Sequence, residues 1–319
     1  MVLPRYSVFA AFLASAGVPI YIHAPKYFAD TYGTSLASIG IVLFLLRLLD
    51  FGQDPLLGWI VGRIKSGRSM AALLGAVGMM LGMFGLFAVA PPIDPLVWMA
   101  ATLIILFTSF SFLSILFYAR GVAQAEMLGH GGHVRLGGWR EAGSLLGITA
   151  FCILPVGFGQ LDAEEPFTLF VFVFVGLGFV ATLLMHRNWA AHLTIEAGGF
   201  ADLLAHSHIR WLLLIGLLNA APVAVTSTLF LFFVESRLGE PDLAGPFLVA
   251  FFAAAAISTP GWSRLAQKFR PDRVLAMAMV LAIASFVWAY GLRLGDTTPF
   301  LPIWLESHHL ERPDLRKSA

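Results

Sequence analysis

The sequence predicts an all-α, polytopic membrane protein. Composition says so first: 58% of residues are hydrophobic, 12% are charged and the mean hydropathy is +0.82. Ordinary soluble domains are near half apolar and about a quarter charged, so this chain carries more apolar surface than a water-soluble core can hide. Apolar stretches of about twenty residues, each enough to cross roughly 30 Å of hydrocarbon, recur along most of the sequence. The third observation is the placement of charge, which gathers in alternate turns.

The first span is read at 7–27, where SVFAAFLASAGVPIYI is too weakly basic at its start for a cleaved signal peptide and is retained. Further spans follow at 36–62, 70–91, 96–120, 138–159, 166–186, 210–234, 244–267 and 273–292, about nine in all. Basic residues collect at Arg5 and in the turns around Arg63-Lys65-Arg68, Arg120-Arg135-Arg140, Arg187-Arg210 and Arg264-Lys268-Arg270-Arg273. The alternate turns hold only Lys26, Arg237 and Arg293, and one of them is the acidic QLDAEEP. By the positive-inside rule the N-terminus and the basic turns are cytoplasmic, which places a multi-pass protein in the cell inner membrane.

Several function classes are disfavoured. No polybasic arm or basic-aromatic patch suggests nucleic acid as a partner. Cys152 is the one cysteine and sits in an apolar run, so no intrachain disulfide and no cysteine-cluster metal site is expected. The histidine pairs His130/His133 and His206/His208 fall in expected turns without matching Cys or carboxylates, and are read as solvated loop residues. No span carries a nucleophile-base pair, so an enzyme is not expected, nor any cofactor beyond a coupling ion.

Chemistry concentrates in the second span, RLLDFGQDPLLGWIVGR. At 100° per residue, and with Arg47 at zero, Asp50, Asp54 and Gly58 fall at about 300°, 340° and 20°, one narrow face. A rise of 1.5 Å puts Asp54 about 12 Å, and Asp50 roughly 18 Å, from Gly62 at the cytoplasmic edge. Ionisable groups at that depth face a bundle interior or a water-filled cavity. Three readings stay open: an Arg-Asp pair locking the helix, a proton relay, and a monovalent cation site built from two carboxylates one turn apart. Elsewhere, Asn219 and Thr226-Ser227-Thr228 suit interhelical hydrogen bonds or cavity lining. GAVGMMLGMFG suits close helix packing, and Pro155, Pro222 and Pro260 suit kinks.

An internal regularity supports a repeat. PLLGWIVGRIKSGRSM closes the second span and STPGWSRLAQKFRPDRVLAM the eighth, with Trp262 lying 203 residues after Trp59 and six spans between them. Such a six-helix repeat resembles the plan of major facilitator transporters, a helical bundle in which solute binds between two halves. Domains are accordingly drawn as a six-helix N-terminal part at 1–187, a cytoplasmic linker at 188–209, helices seven to nine at 210–298 and a non-membrane tail at 299–319.

Arg47-x-x-Asp50-x-x-x-Asp54-Pro55-x-x-Gly58 with its basic turn resembles the second-helix signature of the glycoside–pentoside–hexuronide cation symporters, the melibiose permease-like family. FYARGVAQAE, LGGWREAGSLLG and LLNAAPVAVTSTLFLFFVESRLG are similar to that family's fourth, fifth and seventh helices, so the likeness covers most of 10–298. The resemblance implies that Asp50 and Asp54 bind the coupling cation, Na⁺ or H⁺ among others. It implies that Arg47, Arg140 and Tyr118 line the solute cavity; Asn219 joins them from the seventh helix. The implied function is cation-coupled symport of a sugar or other small polar solute, with proton-driven efflux as the rival.

The departures matter too. Residues 7–25 and 96–118 contain no Asp or Glu, where sugar-transporting members carry acids, so an anionic solute would suit Arg47 and Arg140 equally. The family pattern has twelve helices and about nine are expected here. PIWLESHHLERPDLRKSA is too polar to span, and a truncation by a frameshift near residue 300 is expected, or else a short variant completed by association. An inactive fragment or assembly partner is the non-transport alternative.

Overall fold

The computed structural model describes residues 2–64, 66–161, 164–189, 205–211, 244–269 and 271–291, with a few single positions between 214 and 239. Nine helices are bounded among the described residues: α1 Leu3–Ser15, α2 Val18–Tyr32, α3 Leu36–Arg63, α4 Arg68–Phe87, α5 Pro95–Met127, α6 Gly132–Gln160, α7 Pro166–Trp189, α8 Ala244–Lys268 and α9 Pro271–Tyr290. Six segments are long and apolar enough to cross a membrane, α1 and α2 together forming the first. They match the first six expected spans. Helices α8 and α9 cover the eighth and ninth, whereas most of the seventh span, 190–204 of the expected linker at 188–209, and residues 292–319 lie outside the described residues.

The described residues fall into two units, one within 1–203 and 249–270 and one within 204–248 and 271–291. In the first, α1 packs on α6 and α7, α4 on α5 and α7, and α3 on α5 and α2. Its centre is aromatic. Phe9 lies 5.0 Å from Phe117 and 5.3 Å from Trp189, and Phe12 lies 5.0 Å from Phe174, all fully buried. In the second, α9 is apolar along Arg273–Ser285.

Three features differ from the sequence reading. The first span is broken between α1 and α2 at Ala16-Gly17, where one continuous helix was expected. Pro19 cannot donate a helical hydrogen bond and crowds the preceding turn, and Gly17 takes the non-helical backbone that results. The turn between α5 and α6 starts later than expected, since α5 continues to Met127. Arg120 therefore sits inside a helix and is 2% exposed, rather than in a basic turn. His133 lies on the first turn of α6, not in the loop, because the chain reverses at Gly129 and Gly131, both at positive φ.

Glycine sets how closely α4 and α5 approach. A Cβ on Gly75 would lie 2.8 Å from Leu113 Cγ, one on Gly78 would meet Ser109, one on Gly82 would lie 2.8 Å from the Leu106 backbone nitrogen, and one on Gly85 would lie 2.9 Å from Thr102 Cγ2. With no Cβ in the way the two backbones touch, and dispersion replaces the hydrophobic effect as the force between spans. Gly143 and Gly147 of α6 receive the Ser7 and Ala11 carbonyls of α1 in the same manner. Gly82→Ala is expected to lower stability by about 1–3 kcal/mol through overpacking. Reversible unfolding in mixed micelles measures it, with Gly176→Ala, whose Cβ would meet nothing within 4 Å, near wild type.

Candidate functional site

Helix α3 is capped by Ser35, whose Oγ accepts the Ser38 N–H at 3.1 Å, and runs unbroken through Pro55. Arg47, Asp50, Asp54 and Gly58 therefore lie on one helical face. This span is the least buried of the six, with 11% of its most apolar window inside the chain against 56% for Leu3–Tyr32. Arg47 and Asp54 are exposed and Asp50 is partly buried.

Arg47 does not pair with either aspartate. Its guanidinium carbon sits 4.4 Å from the Tyr21 ring centre, and Tyr21 in turn stacks on Phe107 of α5 at 5.2 Å. Lys26 pairs with Asp30 at 2.9 Å on the exposed side of α2, away from this face. The locking Arg-Asp pair, one of the three readings of this face, is absent from it.

Asp50 is held instead by a neutral group. Gln53 Nε2 donates to Asp50 Oδ1 at 2.9 Å, and Thr108 Oγ1 of α5 donates to Gln53 Oε1 at 3.0 Å. Both ends of the Gln53 amide are thus used, which fixes its orientation and leaves Asp50 Oδ2 and both Asp54 oxygens without a protein donor among the described residues. The two carboxylates, one turn apart, thus keep free oxygens, with Arg47 near Asp50 but outside ion-pair distance.

A second cluster joins α5 and α6. The Arg140 guanidinium carbon lies 4.2 Å from the ring centre of Tyr118, itself 51% exposed, and Arg140 Nε is buried without a hydrogen-bond partner. Tyr118 is ten residues beyond Thr108, roughly 15 Å along α5. Arg140 and Tyr118 are thus brought together, as are Arg47, Asp50 and Asp54, and the two groups sit at different depths of the bundle. Asn219 lies outside the described residues.

Gln53, Thr108 and Tyr21 were not singled out from the sequence. Gln53 carries a local signal, since its i,i+3 spacing from Asp50 puts the two on one turn. Thr108 is one of five Ser and Thr hydroxyls in α5, and which helix it faces depends on packing.

The family described as MFS/sugar transport protein matches residues 6–305. The chain belongs to this family. Its membership in the melibiose permease-like group of transporters agrees with the second-helix signature, and it makes the protein a multi-pass membrane transporter rather than an enzyme. As a member of the family it is a secondary transporter, working in a lipid bilayer on small solutes.

The Thr108–Gln53 contact yields a test. In a double-mutant cycle of Thr108→Val and Gln53→Leu, unfolding free energies in mixed micelles are expected to show a coupling of about 0.6 kcal/mol, typical of hydrogen bonds between membrane helices. A coupling of zero would mean that α3 is not tied to α5 through this pair.

Proposed function

We propose that the protein is a cation-coupled symporter of a sugar or other small polar solute, with Asp50 and Asp54 as ligands of the coupling ion, Na⁺ or H⁺. The observation that carries this reading is the unpaired state of these acids. The nearby arginine stacks on Tyr21, and Gln53 holds one oxygen of Asp50 while leaving the charge in place. Two carboxylates one turn apart at this depth, with Arg47 near Asp50 but not in an ion pair with it, are costly unless a cation or protons join them. Arrival of the ion then lowers the free energy of one conformation more than the other, which is the condition for coupling.

Solute contact is assigned to Arg140 and Tyr118, with Arg47 and Tyr21 as a second aromatic–guanidinium pair. A tyrosine face packs the apolar face of a sugar ring, while the guanidinium donates to hydroxyl or carboxylate oxygens. Asn219 is the contribution assigned to the seventh helix. The basic turns set the N-terminus in the cytoplasm, in the cell inner membrane.

Asp50→Asn keeps an acceptor for the Gln53 amide and removes only the charge. In proteoliposomes carrying an inward Na⁺ or H⁺ gradient, Asp50→Asn and Asp54→Asn are each expected to lower gradient-driven uptake of a labelled glycoside or hexuronide more than about tenfold. Membrane insertion is expected to be unchanged. Undiminished coupled uptake in both variants, or no response of the wild type to Na⁺, Li⁺ or pH with any solute, would sink the proposal.

Topology is checked separately with a membrane-impermeant thiol reagent, because Cys152 is buried and gives little background. In intact spheroplasts Ile93→Cys is expected to react and Ser66→Cys to react only after permeabilisation. The opposite pattern would invert the orientation.

A further inference from the structure

The seam between α4 and α5 keeps one register along its length. Gly75 faces Leu113 and Gly82 faces Leu106, a step of seven residues on each helix, taken in opposite directions. Seven residues are close to two helical turns, so one further step toward the basic turns stays on the same faces and sets Arg68 opposite Arg120. Both side chains are buried, at 7% and 2% exposure, and the Arg120 charge reaches Arg68.

Arg120 makes no ion pair among the described residues. Its Nη2 donates to Gln124 Oε1 at 3.5 Å, a long contact, while its Nε and Nη1 are buried without a hydrogen-bond partner. The fully buried Tyr6 hydroxyl lies near the same guanidinium and makes no hydrogen bond either. The acids nearest to Arg120 along the chain, Glu126 and Glu141, are exposed. The start of α4 adds further donors. Its N-cap, Gly67, sits at positive φ and offers no side chain to the first-turn N–H groups, and Ser66 and Gly67 are exposed, so this end of the seam is open.

Unmet donors and positive charge thus meet at one place. A buried guanidinium without acceptors is costly, and two that face each other repel. Water would satisfy the donors and leave the charge. An anion with several acceptor oxygens satisfies both: guanidinium forks match the oxygen spacing of a phosphate, and a helix N-terminus receives the same group.

We propose that Arg120, Arg68 and the N-terminus of α4 bind a phosphate group, supplied by a phospholipid headgroup or by free phosphate. Basic clefts between spans take anionic lipid heads at this depth. Arg120 stands twelve residues beyond Thr108, roughly 18 Å along α5, so the site is separate from the acids of α3 and needs neither the coupling ion nor the solute.

The test heats the full chain in non-ionic maltoside micelles with a thiol-reactive dye, because Cys152 is buried, is the single cysteine and labels on unfolding. A bound phosphate is expected to raise the wild-type midpoint by about 5 °C. Inorganic phosphate is compared with chloride at equal ionic strength, and phosphatidylglycerol with diacylglycerol. A shift with inorganic phosphate assigns the soluble ion; a shift with phosphatidylglycerol alone assigns the headgroup. Arg120→Leu and Arg68→Gln are each expected to abolish the shift, whereas Arg135→Gln, at an exposed position of α6, keeps it. Gel filtration shows which variants are folded, and either arginine variant is enough for the comparison. No shift of the wild type with either source overturns the proposal, and so does a shift that persists in a folded Arg120→Leu or Arg68→Gln.

Discussion

The approach of α4 to α5 is the contact on which the first unit depends. Lipid tails are as apolar as leucine, so helices gain little from burying hydrocarbon against each other and must gain from closeness instead. Gly75, Gly78, Gly82 and Gly85 supply that closeness along one side of α5. The opposite arrangement holds on the α3 side. There the association rests on polar and aromatic contacts, Gln53 with Thr108 and Arg47 with Tyr21, and much of α3 stays exposed. Helix α5 is thus met by glycine backbone on its α4 side and by side chains on its α3 side.

Much of this was legible in the sequence. The helical class, the first six spans and the shared face of Arg47, Asp50 and Asp54 follow from hydropathy and a 3.6-residue period, which are properties of single helices. Pairings between helices were less so. Whether Arg47 turns to Asp50 or to Tyr21 depends on how α2 lies against α3, and no periodicity encodes that. Arg120 was misplaced for a related reason: a charge reads as a turn until the neighbours that cover it are known. Tyr6, Phe117 and Gln124 surround it inside the bundle. The break beside Pro19 was not foreseen, and it comes where a glycine stands two residues before the proline.

At the α3 site the carboxylates make no ion pair with an arginine or lysine, although the Arg47 charge still reaches Asp50. Arginines in the same unit are engaged otherwise: Arg47 and Arg140 on tyrosine rings, Arg63 on Trp59 at 3.8 Å, Arg5 on the Asn188 side chain at 3.1 Å. Aromatic and amide partners thus take up guanidinium groups that share the unit with unpaired carboxylates.

The break at Ala16-Gly17 bears on this arrangement. The Ala16 and Gly17 N–H groups fall back to the Leu13 and Ala14 carbonyls, so the interruption leaves neither of these two donors unsatisfied. Below it, α1 is clamped to α6 by the Gly143 and Gly147 contacts; above it, α2 carries Tyr21 only four residues on. Both arms are tied to α6, the lower through those glycines and the upper through His23, whose Nε2 lies 3.1 Å from the buried Cys152 carbonyl. The elbow therefore fixes the direction in which α2 leaves α1, and with it the place of the ring that keeps Arg47 from its acids.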